Sequence, residues 1–240
     1  MDPSIPARPS GLKTALDTIV APKDAFERLR TAPTWGWALL LGIVLYAIGT
    51  YLLTPAIAHA TQAEWPSMVA KNPQLAQLTA EQQQHYLDFT LRIVSFTWLF
   101  AIIVLPVVIF LQTIVMLVFN AIGRGSASFA SLWAASANIA VASLGLGALV
   151  AGILVTLRGA DSFERSIDVQ TAMPSLGLLA PGAPIKLHAF LSAFTPFSLW
   201  GCYLIATAML VIGRVSPAIA WTTGIIMLLI GGGLFAMGAH

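Results

Sequence analysis

The chain is 240 residues long, 58% hydrophobic and only 9% charged, where an ordinary soluble domain carries about 25% charged residues. Such a composition cannot cover a water-soluble shell, and a net charge of +2 with no basic stripe excludes a nucleic-acid surface. Its one cysteine, Cys202, lies inside an apolar run, which excludes a disulfide framework and a thiolate metal site and leaves it as a small packing residue.

What remains is an all-α integral membrane bundle of five transmembrane helices, each near the ~20 apolar residues that cross a hydrocarbon core, preceded by an amphipathic lead over residues 1–34. Within the lead, Pro3, Pro6 and Pro9 deny the first ten residues a helix. From Gly11 onward Leu12, Leu16, Ile19 and Val20 recur at helical spacing, and Pro22 opens a second piece carrying Phe26 and Leu29. Lys13, Lys23, Arg28 and Arg30 occupy the polar side. Two placements fit: in the headgroup layer with the apolar face down, or packed on the bundle's own end. Phe26, Arg28, Leu29 and Arg30 are the candidate contacts of the lead in either case.

The first span covers 35–57, with Trp35 and Trp37 at the interface and Pro55 at the far end. Ala58-His59-Ala60 has the form of a signal-peptidase site, but the apolar run starts too late for a signal peptide of ~15–30 residues, so the span is expected to stay as an anchor. In the connection 61–91, Thr79-Ala80-Glu81-Gln82 reads as a capping box. Tyr86, Phe89 and Ile93 then run in helical register into the second span, 93–119, which predicts a single rod over 80–119. Pro106 should kink it. Gln112 should face another helix, because its side-chain amide wants a partner in a dry setting.

The glycine-rich turn 120–128 lacks the Walker spacing, a following lysine and a preceding strand, and reads as a flexible hairpin turn carrying one orienting charge, Arg124. The third span, 131–157, is rich in Ala, Ser and Gly and contains Asn138, so it inserts only with neighbours. Ala135, Ile139, Ser143, Gly147 and Ala151 form a mostly small ridge at four-residue spacing, which places this helix at the bundle centre. In the connection 158–187, Asp161, Glu164, Arg165 and Asp168 read as a solvated face, and the proline-rich stretch 175–196 as a re-entrant or interface-lying segment. Spans four and five follow at 197–212 and 218–236, separated by Gly213-Arg214-Val215-Ser216-Pro217.

Lys23, Arg28 and Arg30 immediately precede the first span, which predicts a cytoplasmic N-terminus and, with five crossings, a C-terminus outside. All five spans lack Asp, Glu, Lys, Arg and His, so the groups that intramembrane catalysis or ion coupling needs are missing. His59, His85, His188 and His240 are isolated, and no Ser/His or Ser/Lys pair falls within the spans. No catalytic residue, cofactor or metal ligand is expected.

Several stretches resemble the Ypt-interacting protein (Yip domain) family: Ala21-Pro22 through Phe26 and Leu29 ahead of Pro33-Thr34-Trp35, Ser128-Phe129-Ala130-Ser131-Leu132-Trp133, Phe197-Ser198-Leu199-Trp200, and Gly213 to Ala220. They occur in the family's order and cover nearly the whole chain from Thr18. In eukaryotes that family engages Rab-type GTPases and shapes or sorts Golgi and endoplasmic-reticulum membrane. The acidic Asp-Leu-Tyr-Gly-Pro stretch of the longer tails is absent here, and the short lead with Glu81-Gln82-Gln83-Gln84 is similar to the bacterial branch, which implies an inner-membrane location. Two readings follow. One is a non-enzymatic bundle that organises membrane or holds a partner, with lipids, a second copy or another membrane protein as the partner. The other is a transporter or lipid-handling protein for an uncharged or amphipathic solute, for which a polar cavity joining Gln112 and Asn138 would be the mark.

Overall fold

Over residues 10–239, which the computed structural model describes, the chain is all-α with no strand; Pro3, Pro6, Pro9 and His240 lie outside that range. The lead folds into α1 (Gly11–Val20) and α2 (Pro22–Thr31), and α3 (Gly36–Lys71) is the first span. The first connection holds α4 (Pro73–Ala76) and α5 (Ala80–Ser95), after which α6 (Ala101–Ile122) is the second span. The third is α7 (Phe129–Ala140) continued into α8 (Leu146–Arg158) through a π-helical turn at Val141–Gly145. The second connection holds α9 (Ser166–Gln170) and α10 (Ile185–Ser192). The fourth span, α11 (Pro196–Ala208), runs on through another π turn at Met209–Gly213, and the fifth is α12 (Pro217–Met237). All five are long and apolar enough to cross a membrane.

Three expectations need correcting. The first span does not stop near Pro55: α3 continues through Pro55 and Pro66 to Lys71. Each proline removes a backbone donor, at a cost of about 3 kcal/mol, but the extension is held from the side. Ala56 and Ala60 pack with Val155, Phe163, Val169 and Ala172, and Glu64 accepts hydrogen bonds from the backbone N–H and hydroxyl of Ser166 at 3.0 and 2.8 Å. The rod over 80–119 is broken instead of continuous. Its capping box forms as expected, but α5 ends at Ser95 and a 3-10 turn, Thr97–Phe100, precedes α6. Ser95 and Thr97 donate their hydroxyls to the carbonyls of Leu91 and Val94, an alternative to the helical ladder that bends a chain. The helix then passes through Pro106 without interruption. The turn at 120–128 is not loose: Asn120, buried, spans it with hydrogen bonds to Gly125 and Ala127.

The third span is central, as its small residues imply. Nearly every residue from Ser131 to Ala142 is buried. Its four-residue ridge packs on the fourth span, where a Cβ on Gly147 would come within 3.3 Å of Phe197 and one on Gly201 within 2.9 Å of Ser143. A second seam runs against α3: a Cβ on Gly145 would come within 3.4 Å of the Gly42 carbonyl, and one on Gly152 within 2.5 Å of the Gly49 carbonyl. Gly42 and Gly49 are seven apart, as are Gly145 and Gly152, and that spacing keeps two close-packed helices in register along a left-handed crossing.

Two spans start short. The Asn138 amide donates to the carbonyl of Thr34 at 3.0 Å, so α3 begins beside a residue about 14 Å along the third span from Phe129, at ~1.5 Å per residue. Similarly Phe197, at the start of α11, packs on Gly147, about 16 Å short of the helix end at Arg158. The lead fills the first gap. The second is filled by α10, which packs on α12 through Phe190 against Gly232.

Candidate functional site

The lead is the first place where sequence-selected residues converge. Phe26 and Leu29, on one face of α2, are completely buried in a cluster with Met116, Leu132, Met209 and Ile212. Of the two placements open to the lead, packing on the bundle is therefore the one adopted by α2. Asp17 joins the two lead helices: its carboxylate accepts from Lys13 Nζ at 2.7 Å and from Arg28 Nη2. The Lys13 hydrogen bond and the two neighbouring cations hold that carboxyl below its ordinary range. Arg28 Nε is buried without a partner, and Arg30 is exposed.

α1 is turned the other way from a helix docked on a soluble protein. Thr14, Ala15 and Thr18 are buried, while Leu12, Leu16 and Val20 are 40%, 51% and 80% exposed. The small and hydroxyl-bearing face points inward, the Thr18 hydroxyl satisfied by the Thr14 carbonyl at 2.9 Å. The apolar stripe points out. In water this would be a liability; against acyl chains it is the favourable arrangement.

The intramembrane polar residues serve packing. Asn138, fully buried, donates to the carbonyls of Thr34 and Ala134 at 3.0 and 2.7 Å, which ties the start of the first span to the centre of the third. Ser143 donates to the Ile139 carbonyl at 2.9 Å, inside the π turn. Gln112 is buried, as expected, but its Nε2 and the Asn138 Oδ1 have no hydrogen-bond partner. Neither residue lines either of two clefts at the other end of the molecule, one walled by Arg158, Phe163 and Thr171 and one by His59, Glu64 and Ile185.

That other end carries the long connections. A cleft of about 1070 Å³ opens between the projecting end of α3, the second connection and the C-terminal Gly238-Ala239, with His59, Glu64, Lys71, Glu164, Arg165 and Ile185 among its walls. Asp161, Glu164 and Arg165, read from sequence as part of a solvated face, are exposed and Asp168 is half-buried, while Glu64 and His59 on α3 add a scaffold beside them. Glu64 holds the start of α9, Arg165 donates to Asp168 at 2.7 and 3.1 Å, and His59 Nδ1 lies 3.1 Å from the Phe163 carbonyl. The Asp168 carboxylate raises the Arg165 pKa. No group of three or more His, Cys, Asp or Glu is placed to hold a metal ion among the described residues.

Sequence reasoning missed a recurrence that was open to view. Ile122-Gly123-Arg124-Gly125-Ser126 and Ile212-Gly213-Arg214-Val215-Ser216 are the same pattern, Ile-Gly-Arg-x-Ser, at the two tight turns. Both arginines adopt left-handed backbone conformations, φ 51° and 54°, and the turns touch: Ser126 N–H donates to the Gly213 carbonyl at 3.0 Å.

The fold and these contacts define a membrane-embedded helical bundle with a docked N-terminal hairpin. No family model matches the chain, and no curated protein or solved structure matches it.

Proposed function

We propose that this is a non-enzymatic inner-membrane protein that organises the bilayer around it or holds a membrane partner, with its N-terminus in the cytoplasm, in the manner of the bacterial Yip-like proteins its sequence resembles. The observation that carries the reading is the outward apolar stripe of α1, Leu12, Leu16 and Val20, on a hairpin whose second helix is locked into the bundle by Phe26 and Leu29. A rigidly held amphipathic helix at one end of a bundle adds volume to one leaflet and not the other, which favours curvature. The resemblance supports the same view, because residues that carry it also join lead to bundle: Phe26, Leu29, Leu132 and the carbonyl of Thr34.

The test is reconstitution of the full chain into vesicles, with vesicle diameter read by electron microscopy. The protein should narrow the diameter distribution as its density rises, and a Leu12→Asn/Leu16→Asn variant should lose that effect while inserting normally. Unchanged curvature in the variant removes the reading. Cross-linking in native membranes reports the partner or second copy.

The loop-end cleft favours a second reading, the handling of an amphipathic molecule. Its walls combine charged side chains with Met68, Leu75, Ile167 and Ile185. Protection of a Met68→Cys thiol by added phospholipid monomer, absent with the water-soluble headgroup alone, is the expected result. Equal labelling with and without lipid eliminates it.

A further inference from the structure

We propose that the two Ile-Gly-Arg-x-Ser turns together form a binding site for the phosphate of an anionic phospholipid, held by Arg124 and Arg214. The inference rests on the reading above only in requiring that the bundle sit in a bilayer.

The argument starts from backbone strain. A left-handed φ at a residue with a Cβ costs free energy that glycine avoids, and each turn already has glycine beside the strained position: Gly123 and Gly125 in one, Gly213 in the other. Arginine nevertheless occupies the strained position both times. Topology alone does not require this. A positive charge anywhere in the turn satisfies the positive-inside rule, and Ser126, exposed one residue past Gly125, could carry it without strain. Holding arginine at the left-handed residue of both turns fixes where the guanidinium departs from the backbone.

The second step is proximity. The Ser126 N–H···O=C Gly213 bond joins the turns directly, so one hydrogen bond and three peptide units separate the two arginine Cα atoms. Gly125 permits the approach: a Cβ there would stand 2.6 Å from the Gly213 carbonyl. Both arginines are exposed, and neither forms an ion pair among the described residues. With their backbones this close and both side chains long and exposed, the two guanidinium groups can reach one anion from either side. Two planar guanidinium forks suit a phosphodiester, which each can grip through paired N–H donors.

The third step separates a lipid from a free anion. The helices that enter and leave each turn carry exposed apolar side chains: Ile122 and Phe129 around the first, 62% and 45% exposed, and Leu210 and Trp221 around the second, 36% and 45% exposed. Exposed apolar side chains on the helix ends at both turns match a ligand that carries acyl chains below its phosphate. Inorganic phosphate has no use for them.

The experiment measures lipid retained by the full-length protein after reconstitution into vesicles of equal phosphatidylcholine and phosphatidylglycerol and extraction in mild detergent, by mass spectrometry. Phosphatidylglycerol should be enriched over its bulk share. At about fivefold per basic residue at a charged surface, Arg124→Gly/Arg214→Gly should abolish the enrichment while raising thermal stability through relief of strain. Arg124→Gly/Ser126→Arg keeps the charge of the turn and its topogenic value, and should still lose about fivefold. Enrichment equal to the parent in either variant overturns the proposal. So does complete competition by inorganic phosphate, which would mark a general anion site. Protein that fails to enter vesicles at all would instead refute the membrane reading, so the two failures are distinct.

Discussion

Truncating Phe26 to alanine tests the packing argument where it is most exposed to failure. The ring is completely buried among Met116, Leu132, Met209 and Ile212, contributed by the second, third and fourth spans. Losing a buried Phe side chain costs about 3 to 5 kcal/mol when the site cannot collapse, and a cluster drawn from three spans has little freedom to close on the gap. If that energy holds the lead in place, the undocked fraction should rise about 100- to 3,000-fold, a factor of ten for each ~1.4 kcal/mol. Ala25, wholly buried beside it, supplies the reporter. An Ala25→Cys thiol should react with a membrane-impermeant maleimide far faster in the Phe26→Ala background than in the parent. Leu12→Ala, on the exposed stripe, is the control and should change the rate by less than about threefold, as surface substitutions do. Equal labelling rates for Phe26→Ala and its parent would mean that the lead is held by something other than this core.

The remaining predictions concern separate parts of the molecule. Asp17 has its carboxyl held below the ordinary 3.8 by Lys13 and Arg28, so its contribution to holding α1 against α2 is complete above that pH and is lost as pH falls through the depressed value; labelling of an Ala15→Cys thiol, buried on α1, should be flat from neutral pH down to about pH 5 and accelerate only in stronger acid, while Ala25→Cys on the anchored α2 stays protected. Glu64→Ala should free the start of α9 by removing two hydrogen bonds to a charged acceptor, together worth about 1.5 to 3 kcal/mol, seen as faster amide exchange over residues 163–172 and not in the spans. Gly152→Ala would press a Cβ to 2.5 Å from the Gly49 carbonyl and should lower the melting temperature in detergent, whereas Gly231→Ala, with nothing within 4 Å, should raise or preserve it through about 1 kcal/mol of helix propensity.

Much of this architecture was legible because lipid-crossing helices announce themselves by length. The five spans, the Thr79 capping box and the central position of the small-residue helix all follow from local pattern. The extension of α3 to Lys71 was not legible, since Pro55 and Pro66 argue against it locally and it is sustained by tertiary contacts, Phe163, Val169 and Ser166 on one side and Tyr86 stacked on Trp65 on another. The orientation of α1 was legible as one of two placements: Leu12, Leu16, Ile19 and Val20 at helical spacing suit acyl chains as well as a bundle, and it took the contacts to show Ile19 against the core with Leu12, Leu16 and Val20 turned outward. The glycine seam between α3 and the third span was not legible because it pairs Gly42 and Gly49 with Gly145 and Gly152 of another helix, a match that exists only once the two helices are side by side. Gln112 illustrates a further limit: the pattern places it facing inward, and it is buried, yet nothing in one-dimensional spacing says that its Nε2 will lack an acceptor.

The short spans bear on how the lead acts. Because α3 begins beside Asn138, the bundle at that end is completed by α1 and α2, with Phe26 and Leu29 buried in a cluster shared with the second, third and fourth spans. On truncation scales those two side chains together add at least about 5 kcal/mol in favour of the docked lead, which shifts its equilibrium by a factor of more than about a thousand. A hairpin that seldom leaves its seat cannot work chiefly by release and recapture of a partner. Under the proposed function, its influence on the membrane would then come from the docked form, through what that form leaves outside: the Leu12-Leu16-Val20 stripe on α1. The Asp17 bridge to Arg28 then has a positional role, since it joins the helix that shows the stripe to the helix that is anchored. Asp17→Asn should therefore weaken the curvature effect while leaving Ala25→Cys protected, a combination that a lead acting by undocking would not produce.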